Sequence, residues 1–283
     1  MLKNEQYVID GKHQKPILID STFTSTNTKQ PIIIFCHGYK GFKDWGAWHL
    51  MAKAFANAGY YFIKFNFSHN GGTIEQPIDF PDLEAFGNNN YTKELDDLQT
   101  VIDWIYRAED LKEKVNIKSI TLIGHSRGGG ISIIKAEEDP RITSLVSLAS
   151  VSDFESRMEA LCEPTKWKKE GVTYIKNGRT KQQMPHYFQF FEDFHKNKTR
   201  LYIQRAAENL QIPHLIIHGN QDTSVSILES QTIHKWHSNS NFEVIDGANH
   251  VFGAQHPWKK DQMPDHLNTV IIKTLNFLNE QQK

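Results

Sequence analysis

Long apolar runs, clustered cysteines and a surplus of either charge are all missing from this chain of 283 residues. No stretch approaches the ~18 apolar residues a bilayer span requires. The N-terminal Met1-Leu2-Lys3-Asn4-Glu5-Gln6 is polar and lacks the apolar centre of a secretory signal. The formal net charge is −1 and the pI near 6.9, so no global electrostatic attraction draws the chain to nucleic acid or an anionic membrane. The two cysteines, Cys36 and Cys162, make no disulfide framework, and Cys36 sits in an apolar run, as a small core residue does. The cytoplasm is the expected compartment. There are 14 histidines, yet no H-E-x-x-H pair and no Cys/His metal spacing, so neither metal nor cofactor is expected. Internal repeats and low-complexity tracts are absent too. The oligomeric state stays open.

What the chain does contain is a globular composition, 39% hydrophobic and 23% charged. Apolar runs rich in β-branched residues alternate with helical periodicities. Residues 7–12 and 16–20 read as a hairpin. Strands are expected at 31–36, 60–65, 119–123, 142–149, 212–217 and 242–245. Helices are expected at 45–58 with Asp44 as N-cap, 91–108, 127–138, 230–236 and 264–279. The connection at 66–90 is irregular and long, as functional loops often are. Residues 151–211 lack strand patterning but hold many aromatics, and Tyr187, Phe191 and Phe194 would share a helix face. This reads as a partly helical cap inserted into one domain spanning 1–283. Alternating strands and helices imply an α/β fold with a mostly parallel sheet, ligands binding at the carboxyl ends of its strands.

One stretch breaks local rules. Strand-like Ile120-Thr121-Leu122-Ile123 runs into Gly124-His125-Ser126-Arg127-Gly128-Gly129-Gly130 and then a helix. Glycines in a helix's first turn cost about 1 kcal/mol each relative to alanine, and such violations cluster at functional sites. Strand, sharp turn and helix form the context of a G-x-S-x-G nucleophile elbow, in which Gly124 and Gly128 remove Cβ atoms that would clash. A serine hydroxyl needs a base, and the base needs an orienting carboxylate. His250 follows one expected strand end and Asp222 another, giving the order Ser126, Asp222, His250. Asp153, past the 142–149 strand, and Asp246 are rival acids. A tetrahedral intermediate needs oxyanion donors. The backbone N–H groups of Arg127 and Tyr39 are the candidates. His37 and His218 read as loop braces, His125 as pointing away from the serine, and His69 as either solvent-facing or pocket-lining. Lys40, Lys43 and Arg127 either favour an anionic substrate or are solvated surface charges.

Four segments carry a family resemblance: His37-Gly38-Tyr39-Lys40-Gly41-Phe42, Gly124-His125-Ser126-Arg127-Gly128-Gly129, His218-Gly219-Asn220-Gln221-Asp222 and Gly247-Ala248-Asn249-His250. In this order they resemble the α/β-hydrolase superfamily, and within it the cinnamoyl/feruloyl-esterase and dienelactone-hydrolase or prolyl-oligopeptidase-like branches. One departure is Asn66-Phe67-Ser68-His69-Asn70-Gly71, where many relatives carry an Asp-x-Arg-Gly-His-Gly-like turn. The resemblance implies a serine esterase cleaving a small-molecule ester of small or medium, including aromatic, acyl chain through an acyl-enzyme. Cap aromatics would contact that chain. A small peptidase, amidase or acyltransferase on the same triad is the alternative, and a non-catalytic ligand-binding protein of this fold a more distant one.

Overall fold

The computed structural model describes residues 1–281. Ten strands form: β1 (Leu2–Asp10), β2 (Pro16–Thr24), β3 (Gln30–Cys36), β4 (Tyr61–Phe65), β5 (Val115–His125), β6 (Ser144–Leu148), β7 (Val172–Lys176), β8 (Gln183–Tyr187), β9 (His214–Gly219) and β10 (Asn241–Ile245). The helices are α1 (Trp48–Asn57), α2 (Leu83–Gly87), α3 (Tyr91–Arg107), α4 (Arg127–Glu138), α5 (Glu155–Glu159), α6 (Pro164–Glu170), α7 (Gln189–Lys196), α8 (Ile203–Asn209), α9 (Ile227–Trp236) and α10 (Asp265–Glu280). Eight strands build one sheet in the order β1-β2-β4-β3-β5-β6-β9-β10. The β1–β2 and β2–β4 pairs are antiparallel, and every pair from β4 to β10 is parallel.

Strand alternation explains why the sheet is covered on both faces. In β3, Ile32, Ile34 and Cys36 enter one apolar layer while Ile33 and Phe35 enter the other. In β9, Ile216 faces the first layer and Leu215 and Ile217 the second. Helices α3, α4, α8 and α9 close the first layer, and α1 and α10 the second. Helix α3 shows the local logic. Asn90 caps it, accepting from Lys93 N–H at 2.9 Å, and Leu95, Leu98, Val101, Ile102 and Ile105 bury one face. Each such side chain contributes roughly 1.5–3 kcal/mol on full burial. Cys36 lies in this core, where burial pushes its thiol up to about 12, so it stays protonated.

Several sequence expectations shift. Helix α1 begins at Trp48, and Asp44 does not cap it. Asp44 instead pairs with Lys43 and Lys64, each of which also reaches Asp20 at 2.6 Å. Two buried ammonium groups need both carboxylates, and that demand outweighs a cap. Lys43 is therefore not a solvated surface charge. The segment between β6 and β9 is partly helical as expected, but it also holds strands, because β7 and β8 form an antiparallel hairpin. Its outer strand is half-exposed and its partner carries Pro185, which hides the strand pattern. Tyr187 ends β8, so it does not share a helix face with Phe191 and Phe194. The 66–90 connection contains α2 and supports this hairpin: Gln182 Nε2 donates to Phe80 O at 2.9 Å, and Tyr187 O–H donates to Glu84. His69 is buried rather than solvent-facing, with Nδ1 against Ser68 Oγ at 2.8 Å.

Candidate active site

The turn after β5 is strained. Ser126 has φ 57° and ψ −120°, and its backbone is tied on both sides. Its N–H donates to Leu148 O at 2.9 Å, and its carbonyl accepts from Gly129 N–H at 2.9 Å. Glycine is required where β5 meets α4. A Cβ on Gly124 would stand 2.2 Å from Gly128 O, and one on Gly128 would stand 2.3 Å from Cys36 O. The turn after β3 comes equally close, since a Cβ on Gly38 would lie 2.9 Å from Ser126 Cβ. Strain at Ser126 is thus held in place by close packing, as at sites where geometry must be fixed in advance.

The turns after β9 and β10 meet beside it. Asn220 joins them, donating to Asp246 Oδ1 at 2.7 Å and accepting from Gly247 N–H at 2.8 Å. Asp222 Oδ2 lies 2.7 Å from His250 Nδ1 and 3.1 Å from His218 Nε2. Its Oδ1 accepts from Ser224 and Val225 N–H at 2.8 and 2.9 Å. Burial opposes ionisation of Asp222, but hydrogen bonds from His218, His250 and the Val225 N–H override it and hold the carboxyl far below the usual range. His250 Nδ1 accordingly carries the proton, leaving Nε2 as the acceptor. Ser126 and His250 face the same cavity, although no hydrogen bond joins Ser126 Oγ to His250 Nε2. Such contacts are often loose without substrate.

The other expected residues separate cleanly. Asp153 accepts from Glu155 and Ser156 N–H at 2.8 and 3.2 Å, capping the start of α5 rather than facing His250. Asp246 is engaged with Asn220. His37 braces its own turn, with Nδ1 2.9 Å from Gly38 O and Nε2 accepting from Phe67 N–H at 3.3 Å. His218 does more than brace a loop. Its Nε2 faces two acceptors, Asp222 and Val225 O, so it carries a proton there, while Nδ1 accepts from Ser230 O–H at 2.7 Å. It therefore orients the acid, a role its position four residues before Asp222 could have signalled. His125 lines the same cavity as Ser126 and donates from Nε2 to His250 O at 2.8 Å, fixing the histidine loop.

Arg127 is not a solvated charge. Its guanidinium is largely but not fully buried, 3.3 Å from Glu94 and over the rings of Tyr39 at 4.2 Å and Tyr91 at 5.1 Å. Its N–H opens α4, where a helix offers no internal acceptor. Tyr39 is fixed from the other side, with its hydroxyl 2.8 Å from His186 on β8.

Two cavities meet at Ser126. One of about 150 Å³ is walled by Trp45, Trp48 and His125; the other, of about 540 Å³, lies under Val151, Arg157 and Leu161. The expected aromatic wall of the cap is therefore absent. Phe154, Trp167, Phe190 and Phe194 pack into the core instead, and the indoles come from the segment before and into α1. Their spacing from the H-G-Y turn, six and nine residues past Tyr39, was the available signal. No group of three or more potential metal ligands occurs among the described residues. No helix among them is long and apolar enough to cross a membrane.

A family model described as alpha/beta hydrolase fold matches residues 31–170. Among curated proteins, an uncharacterized 31.7 kDa protein of the traX-finO intergenic region of Escherichia coli is 28% identical over 146 residues. That match covers 52% of this chain and 46% of the relative, so the chain spans about half the length of the curated relatives it matches. Among solved structures, Est1E from Butyrivibrio proteoclasticus superposes with a TM-score of 0.71 at 17% identity, covering 98% of both chains. A second Est1E structure, with ferulic acid bound, gives 0.70 at 18% identity over 97% of this chain and 98% of that one. Dienelactone hydrolase from Anabaena variabilis gives 0.63 at 15% identity over 98% of both.

Proposed function

The chain has the α/β-hydrolase fold, and from that premise we propose that it is a serine hydrolase acting on carboxylic esters through an acyl-enzyme. The observation that carries this reading is the pairing of a strained serine with a histidine in one cavity, the histidine's far nitrogen held by a buried carboxylate at 2.7 Å. His250 Nε2 takes the proton from Ser126 Oγ as the oxygen attacks the ester carbonyl. The oxyanion forms against the backbone N–H groups of Tyr39 and Arg127, at the positive end of α4. His250 returns its proton to the leaving alkoxide. Water, deprotonated by the same imidazole, then releases the acid and restores Ser126.

The substrate is a small or medium ester, one part in the indole-walled cavity and the other in the larger one. The likeness to Est1E, seen with ferulic acid bound, favours an aromatic group among these parts. The test is labelling by a fluorophosphonate probe, with a panel of p-nitrophenyl acyl esters, feruloyl esters and aminoacyl anilides. Labelling at Ser126 and ester turnover, both lost in Ser126→Ala, are expected. An unlabelled folded protein would defeat the reading.

A further inference from the structure

The two cavities at Ser126 share a charge asymmetry. The larger is lined by three cationic residues, Lys40, Arg127 and Arg157, and neither cavity has an Asp or Glu in its wall. This contrasts with a chain whose net charge is −1. Two of the cations are already matched behind the wall. Arg127 pairs with Glu94, and Arg157 with Glu229. Lys40 is different. It borders both cavities, and no ion pair among the described residues reaches its ammonium, which lies 4.9 Å over the Tyr39 ring. Its backbone holds φ 53°, a conformation that side-chain-bearing residues adopt at a cost and keep where the surroundings impose it.

Resting on the serine-hydrolase reading above, we propose that Lys40, with Arg157 across the larger cavity, forms an anion subsite, and that the ester hydrolysed here carries a carboxylate. The same cavity carries the apolar side chains of Val151, Leu161 and Val225 beside the small hydroxyls of Ser156 and Ser224. A short carbon chain linking ester and carboxylate can lie against those apolar side chains. The substrate class is then a monoester of a short dicarboxylic acid, or an acylated hydroxy acid. Burial and the neighbouring Arg127 both disfavour the charged form of Lys40. A substrate carboxylate relieves both penalties, so the subsite gains from being filled.

The test uses isosteric ester pairs. Monomethyl adipate is compared with methyl hexanoate, placing the charge on the acyl side. 4-Acetoxybutanoate is compared with butyl acetate, placing it on the alcohol side. The ratio of kcat/KM, charged over neutral, is measured for the native chain, Lys40→Met and Lys40→Arg. The native ratio should favour the charged ester by roughly tenfold in one pair, collapse in Lys40→Met and persist in Lys40→Arg. In the native chain it should also shrink as NaCl rises to about 0.5 M, which keeps the test decisive should Lys40→Met not fold. Equal turnover of charged and neutral esters in both pairs overturns the anion subsite and leaves the hydrolase standing. A preference that survives Lys40→Met or high salt overturns it too. Turnover of none of the four esters overturns this inference, and fluorophosphonate labelling at Ser126 then tells whether the hydrolase reading stands without it.

Discussion

Replacing Asp222 by asparagine is the sharpest probe of the site. Both carboxylate oxygens of Asp222 are fully used. Oδ2 faces two imidazole nitrogens at 2.7 and 3.1 Å, and Oδ1 faces two backbone N–H groups at 2.8 and 2.9 Å. Asparagine has one acceptor and one donor end. If its oxygen stays with the backbone N–H groups, its NH2 points at His250 Nδ1 and His218 Nε2. The imidazole of His250 must then take the opposite tautomer, with its proton on the nitrogen that should accept from Ser126. If the amide flips, its NH2 meets the N–H groups of Ser224 and Val225 instead. Loss of the correct tautomer is worth about 10⁴ in kcat in the serine-protease case, and a loss of that order is expected here. Each buried donor left facing a donor costs about 1–3 kcal/mol, which should lower Tm by roughly 5 °C for a chain of this size. Asp153→Asn, which touches only the start of α5, should change kcat by less than about tenfold. The assay is ester hydrolysis with thermal unfolding on the same samples. Near-native kcat in Asp222→Asn, or collapse in Asp153→Asn, would refute the reasoning.

Glu94→Ala leaves Arg127 as a largely buried guanidinium without a carboxylate, so a stability loss of about 3–5 kcal/mol is expected in chemical denaturation. Glu94→Gln, which keeps a hydrogen-bond acceptor, should lose less, and equal losses would show that the charge pairing is not what matters. A pH test follows from Asp97, buried with Oδ1 unpartnered; burial is the chief cause of a rise from 3.8 to about 7. Between those pH values the folded chain keeps a proton that the unfolded chain has released, so this group's contribution to stability falls as pH rises. The buried histidines His37 and His125, lowered by burial to about 4 and about 3, act in the opposite sense. The quantity to read is therefore the difference between the native chain and Asp97→Asn. The variant should gain on the native chain, by as much as a few kcal/mol, as pH is raised from 4 to 8 in denaturant titrations. A difference that does not vary with pH would contradict the burial argument.

The parts of this protein that could be read from the chain alone are those governed by short-range rules. Apolar runs bounded by glycine located the parallel strands, because a strand covered on both faces has no polar face to interrupt it. The glycines at 124 and 128 announced the elbow, because only a missing Cβ allows β5, α4 and the β3 turn to meet at such distances. Ser126, Asp222 and His250 could be singled out as candidates because each sits where a strand ends, and a parallel sheet gathers those ends at one edge. What lies behind and around them was decided by contacts between distant residues. Asp44 gave up a helix cap to Lys64, twenty residues away, because two buried ammonium groups outweigh one local hydrogen bond. Four of the cap's rings, Phe154, Trp167, Phe190 and Phe194, turned into the core, and Trp45 and Trp48 took the place at the cavity, since burial of a ring depends on what packs opposite and not on its neighbours in sequence. That the rival carboxylate Asp153 is taken up by the N–H groups at the start of α5, while Asp222 meets an imidazole, is visible only in the packed fold. The pairing of Arg127 with Glu94, against the unpaired charge of Lys40, likewise exists only once the helices and turns are packed together.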